Sequence, residues 1–181
     1  VQDIKSDADS LIAMVENLLS ITKIRDGTMP LNKREEMLEE VAGDALLTIR
    51  RRFPDYTVTL DLSDDILYLP MEPMLIKQVI VNLLENAIRH SGDRDGIRLH
   101  LFRQDDWAVV EVRDHGKGIS QEVSQAVQSG RQLANDLSGD SSRGMGIGLS
   151  VCQSIIKVHN GFFAAGNDPS GGAVFRFGLP M

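Results

Sequence analysis

The segment MEPMLIKQVIVNLLENAIRH, residues 71–90, constrains the fold more than any other stretch. It reads as a helix, and Pro73 suits its first turn, where a missing N–H leaves nothing unpaired. Leu83, Leu84, Ala87 and Ile88 can supply a hydrophobic core. Asn82 and Asn86 stand four residues apart and share another face, with Arg89 one turn on from Asn86. Amides in so apolar a helix are costly to bury without partners. Either both cap neighbouring loops, or one of them meets a bound divalent cation with its waters.

Elements of both periods surround this helix. PLNKREEM reads as a short strand and MLEEVAGDALLTIRRRF, residues 37–53, as an amphipathic helix. YTVTLDL (56–62) alternates and is rich in β-branched residues, and ILYLP follows as a second short strand. IRLHLFRQ and WAVVEVRD are strands joined by a turn at Gln104–Asp106, with Trp107 placed at the sheet edge. Residues 120–143 are polar, with a short helix at their start. GIGLSVCQSIIKVH, residues 146–159, is helical and takes Cys152 into the core. GFFAAGND and AVFRFGLP close the chain as a hairpin turning through PSGG. The predicted class is α+β, a two-layer α/β sandwich with a mixed sheet on about three helices. From Asp3 to Arg25, the spacing of Ile4, Ala8, Leu11, Val15 and Leu18 predicts a further helix, of coiled-coil type, ending at DGTMP. Its stripe is a seam for another helix, or else packs on its own domain.

A core of this size needs no crosslink, and the single cysteine allows no internal disulfide, which points to a reducing compartment. The net charge of −7 argues against nucleic acid or an anionic membrane surface as the main partner. No apolar run reaches the roughly 20 residues of a membrane span. The chain opens inside a helical pattern, as expected of a piece of a longer protein.

Two glycine clusters carry the chemistry. RGMGIGLSV, residues 143–151, alternates Gly144, Gly146 and Gly148 before an apolar run. It is not GxGxxG, because Leu149 holds the sixth position, and it is not a P-loop. Flexible backbone feeding a helix start can offer N–H groups to an anion, with Arg143 at the mouth; the same pattern also serves as a packing or hinge device. In VRDHGKGIS, residues 112–120, a strand ends in Asp114 beside Gly116 and Gly118. That carboxylate is either a turn residue or an acceptor for an exocyclic amine, a charged hydrogen bond worth about 1.5–3 kcal/mol.

NLLENAIRH, DHGKGI and GMGIGL, in this order, resemble the N, G1 and G2 boxes of the GHKL (Bergerat) ATP-binding fold. They look most like the catalytic domain of bacterial sensor histidine kinases. The first helix with its exit LLSITKIRDG resembles the second helix of the dimerisation and histidine-phosphotransfer hairpin. NLLENAIRHSG and the chain's ending look closest to the Kdp-type potassium and turgor sensors. The resemblance implies two units, residues 1–27 for the truncated hairpin helix and 28–181 for the ATP-binding domain. It implies ATP and Mg²⁺ as ligands. Asp114 would accept the adenine amino group, Gly116 and Gly118 would wall the pocket, and Ile119 would pack near the base. Asn86 would hold Mg²⁺, with Asn82, Arg89 and His90 beside it on the same helix. Arg143, Gly144, Met145, Gly146, Ile147, Gly148 and Leu149 would receive the phosphates, with the preceding polar segment as a lid.

The implied activity is transfer of the γ-phosphoryl of Mg-ATP to a histidine upstream of residue 1, and from there to a response regulator. The intact protein would be a homodimer through the N-terminal helix, and this part the cytoplasmic domain of a membrane-bound bacterial sensor, touching neither nucleic acid nor membrane itself. Where ATP-hydrolysing relatives carry a glutamate, this sequence has Asn82, and an amide takes no proton at neutral pH. Glu85 points away from Asn86 and is peripheral. Three departures stand out: Arg89 replaces the usual lysine, the lid segment has no phenylalanine, and none of His90, His100, His115 and His159 reads as the phosphoacceptor. The rival readings are a nucleotide-sensing module with a degenerate lid and a GHKL ATPase.

Overall fold

The structure is a computed structural model that describes residues 31–129 and 143–181, with side chains of the last helix from Gly148 onward. The N-terminal coiled-coil helix, its DGTMP exit and the lid segment lie outside the described residues.

The chain folds as β1 (Arg34–Met37), α1 (Leu38–Arg52), β2 (Val58–Leu62), β3 (Tyr68–Met71) and α2 (Pro73–Ser91), then β4 (Ile97–Gln104) and β5 (Trp107–Arg113). After these come α3 (Gln121–Gln128), α4 (Arg143–Val158), β6 (Phe162–Asn167) and β7 (Ala173–Pro180). Five strands form one mixed sheet in the order β2-β4-β5-β7-β6, in which only β2 and β4 run parallel. A parallel pair needs a crossover, and β3 with α2 supplies it, laying α2 across the sheet. Alternation decides the faces. Ile97, Leu99 and Leu101 of β4, Ala108, Val110 and Val112 of β5, and Phe175, Phe177 and Leu179 of β7 join the helices in one buried core.

The helix ends follow their sequence. Glu72 caps α2 by accepting the Leu75 N–H at 2.7 Å, Pro73 opens the helix, and Gly92 closes it in the left-handed region. Helix α1 carries Glu39 and Glu40 in its first turn and Arg50, Arg51 and Arg52 in its last, matching its dipole. Asn160, at φ 60°, ends α4, and the Gly161 amide returns to the Ile156 carbonyl at 2.9 Å.

The α+β sandwich stands, with four helices among the described residues where about three were expected. Three details differ from expectation. Strand β3 does not join the main sheet but pairs with β1 in a separate antiparallel ribbon, Arg34 opposite Met71. Trp107 begins the central strand, and its ring meets Phe162 edge-on at 5.2 Å. Helix α4 starts at Arg143, three residues before the expected start at Gly146, so Gly144 also lies inside its first turn. Glycine lowers helix propensity by about 1 kcal/mol per residue, which hid the start from the sequence; context overrides it.

Candidate functional site

Strand β5 delivers Asp114 one residue past its end. The residue is 3% exposed. Its backbone still pairs with β7, the Asp114 N–H donating to the Ala173 carbonyl at 3.1 Å. Its carboxylate turns back onto the same loop, and Oδ1 accepts the Gly116 N–H at 2.7 Å and the Ala173 N–H at 3.2 Å. Two fixed donors on one oxygen lock the carboxylate plane and leave Oδ2 as the oxygen for any further donor. The Gly116 bond is that of an Asx-turn, in keeping with the turn reading, and the Ala173 bond anchors the same oxygen to β7.

The turn after Asp114 lies against the C-terminal end of α2. A Cβ on Gly116 would overlap the His90 carbonyl oxygen and crowd the Ser91 Cα, so the two segments meet backbone to backbone. The half-buried His90 side chain is held below its ordinary pKa by burial, against the attraction of the Asp114 carboxylate, with Arg89 adding to the lowering. The first and second motifs thus converge on one place. Arg89 is exposed, and Asn86 is half-buried one turn before His90.

The helix that carries the third motif, α4, packs against α2. Asn82 hydrogen-bonds the Cys152 thiol on α4, and that thiol lies 3.9 Å from the Val79 carbonyl. Burial pushes the Cys152 thiol up to about 12, so it stays protonated and belongs to the core, as expected from the sequence. The amides left without helical partners at the start of α4 fall in Arg143–Gly146. Above Gly148 there is room, since a Cβ there would meet nothing within 4 Å. The side chain of Leu149 faces the core at 2% exposure, so only its backbone is available to a ligand. Ile119 is also largely core, at 8% exposure. The side chains of Arg143, Gly144, Met145, Gly146 and Ile147 lie outside the description.

Glu85 is on a different side of α2, where Arg52 of α1 donates to it at 2.6 Å, in keeping with a peripheral position. His115 is exposed, with Nδ1 3.9 Å from Asp93 Oδ2. His100 stacks on Phe102 at 4.6 Å between ring centres. His159 is buried at the end of α4. Among the described residues, no group of three His, Cys, Asp or Glu gathers to hold a metal ion. A cation at Asn86 would therefore depend on oxygens brought by a ligand and water, which is how Mg²⁺ is commonly bound.

The sequence reading missed the residues that hold Asp114 from behind. Gly172, at φ 90°, packs against the Asp114 backbone, and a Cβ there would overlap the Asp114 carbonyl oxygen. Arg113, beside Asp114, donates to Asp168 of the β6–β7 turn at 2.5 Å and to Glu111 at 2.5 Å. Burial would raise the Glu111 pKa, but hydrogen bonds from Arg113 and Arg176 outweigh it and hold the carboxyl below its ordinary value. PSGG signals a turn in the sequence; nothing in it signals what the turn packs on.

Residues 71–181 match the family model described as histidine kinase-, DNA gyrase B- and HSP90-like ATPase. The chain is 34% identical over 180 residues to the sensor protein KdpD of Clostridium acetobutylicum, covering 99% of this chain and 20% of that protein. It is 31% identical to the KdpD of Escherichia coli, covering 93% of this chain and 18% of that protein. The chain therefore spans about a fifth of these relatives. Among solved structures, the histidine kinase ThkA in complex with the response regulator TrrA superposes with a TM-score of 0.75 at 23% identity, over 99% of this chain and 50% of that one. The mycobacterial sensor histidine kinase MprB gives 0.67 at 21% identity, over 82% of this chain and 97% of that one. Both share the fold. No helix among the described residues is long and apolar enough to cross a membrane.

Proposed function

The chain belongs to the family of histidine kinase-, DNA gyrase B- and HSP90-like ATPases, and on that premise we propose that it is the ATP-binding catalytic domain of a sensor histidine kinase. The observation that carries the reading is the meeting of Asp114, Gly116 and the His90 end of α2 at one place. Asp114 Oδ2 accepts the adenine amino group while Oδ1 stays bound to the protein. Gly116, Gly118 and Ile119 bound the base, and His90 lies beside it. The phosphates run toward the first turn of α4, where unpaired amides and the helix dipole favour negative charge. The residues fit Mg²⁺ in one respect: the Asn86 side-chain oxygen would hold it together with phosphate oxygens, and the ion would supply charge neutralisation. Arg89 lies on the same stretch of helix.

In the intact protein, the imidazole of a histidine upstream of residue 1 attacks the γ-phosphorus. A P–N bond forms, the bond to the β,γ-bridging oxygen breaks, ADP leaves and the imidazole gives up a proton. The protein's part is positioning and charge placement. Residues 1–27 would be the second helix of the dimerisation hairpin and 28–181 the catalytic domain. A response regulator would take the phosphoryl group, and the whole would be a membrane-bound bacterial sensor of the Kdp potassium-sensing type.

Titration with a non-hydrolysable ATP analogue tests the site. Asp114→Asn should weaken binding roughly tenfold or more with or without Mg²⁺, since a charge-assisted bond is lost. Asn86→Ala should remove mainly the Mg²⁺-dependent part. Equal affinity of wild type and Asp114→Asn would overturn the assignment.

A further inference from the structure

Between Gly116 and Ser120 the chain leaves β5 and runs to α3 without pairing as a strand. One side chain takes the place of a strand partner. Asn167, the last residue of β6, accepts the Ile119 N–H through Oδ1 at 2.7 Å and donates through Nδ2 to the Ile119 carbonyl at 2.9 Å. Both backbone groups of Ile119 are thus satisfied by one planar amide, 48 residues away in sequence. The amide also buttresses the preceding residue: a Cβ on Gly118, at φ 74°, would stand 2.5 Å from Asn167 Oδ1. Just after the clamp, Ser120 caps α3 by accepting the Val123 N–H at 3.3 Å, and Ser124 of α3 donates to the Ala165 carbonyl of β6 at 3.1 Å. Strand β6 therefore holds the loop and the helix that follows it with adjoining bonds.

We propose that Asn167 is a positioning residue for the nucleotide base: it fixes the Gly118–Ile119 wall at the distance from Asp114 that a purine needs. This rests on the ATP reading above. Asp114 is anchored to β7 through Ala173 and Ile119 to β6 through Asn167, and Asn167 pairs with Ala173 across the hairpin. The two walls of the base pocket are thus referenced to one pair of facing residues. An aspartate in place of Asn167 would keep the acceptor but set a carboxylate oxygen against the Ile119 carbonyl, so the role calls for an amide.

The effect belongs to the base and not to the phosphates, and that sets the test. Binding of adenosine, ADP and the ATP analogue is measured with and without Mg²⁺ for wild type, Asn167→Ala, Asn167→Asp and Gly118→Ala, with hydrogen exchange followed at the Ile119 amide. Asn167→Ala should speed exchange at Ile119 and weaken all three ligands by the same factor, roughly tenfold for two lost hydrogen bonds. The gain in affinity from Mg²⁺ should stay as in wild type. Asn167→Asp should fare no better than Asn167→Ala. Adding Asn167→Ala to Gly118→Ala should cost less than it does alone, because the overlap has gone. Unchanged adenosine affinity in Asn167→Ala, with faster exchange at Ile119, overturns the proposal. So does a loss confined to the Mg²⁺-dependent part. Failure of wild type to bind any of the ligands removes the ATP reading itself and the proposal with it.

Discussion

His159 is 2% exposed, and both of its ring nitrogens are committed. The Glu72 backbone N–H can only donate, so Nε2, 3.1 Å from that nitrogen, carries the lone pair. Nδ1 then carries the proton and donates to the Ile155 carbonyl at 2.8 Å. A neutral imidazole thus ties the end of α4 to the cap of α2, the helix that carries the first motif. Burial holds the pKa below its ordinary value, while the Ile155 carbonyl and Glu72 pull it up and Lys33 pulls it down. The sign follows: the unfolded chain takes up the proton first, so stability is complete above the ordinary histidine pKa of about 6.5 and falls as pH drops below it. Thermal midpoints of wild type should hold from about pH 8 to about pH 6.5 and decline from there to about pH 5.5, with a shallower decline in His159→Gln. Equal slopes would show that the ring does not titrate with unfolding. The predicted helix 146–159 ends on His159, but the residue's partner is 87 residues away and leaves no local mark.

Among the elements, the β6–β7 hairpin has the widest effect on the site. It closes through Asp168, which accepts the Ser170 N–H at 2.8 Å and an Arg113 hydrogen bond at 2.5 Å. Gly172 then brings the returning strand against the Asp114 backbone with a φ that side chains rarely adopt. Gly172→Ala should therefore destabilise the domain by more than about 2 kcal/mol, through both backbone strain and overlap. Urea unfolding would measure this, and a loss below about 0.5 kcal/mol would mean that the hairpin approaches Asp114 less closely than described. The hairpin itself is legible, because Phe162 and Phe163 on one side of PSGG and Val174, Phe175 and Phe177 on the other mark two strands. Its contact with Asp114 was not, since turn residues report the bend of a chain and not what lies beneath it. For the same reason PLNKREEM and ILYLP both read as strands while their pairing with each other did not.

Across the molecule, sequence pattern and structure agree where periodicity is strong. The pattern of β4, β5, α2 and β7 marks the core faces, because helices and strands of fixed period leave few ways to bury their apolar stripes; of the motifs, the first two meet at His90 and Gly116. The start of α4 escaped this logic, since its glycines lower helix propensity without preventing the helix. The same geometry sets the catalytic expectation for the whole chain. On the proposed reading Asn82 stands where ATP-hydrolysing relatives carry a glutamate, and an amide takes no proton at neutral pH. The chain should bind Mg-ATP with little steady hydrolysis and should not label itself with radioactive phosphate. Supplying the upstream histidine helix as a separate chain should permit labelling of that helix. Nucleotide binding without such labelling would favour a sensing module, and sustained phosphate release would favour an ATPase that uses a base other than Asn82. Either outcome would leave the fold intact and change only what the bound nucleotide is for.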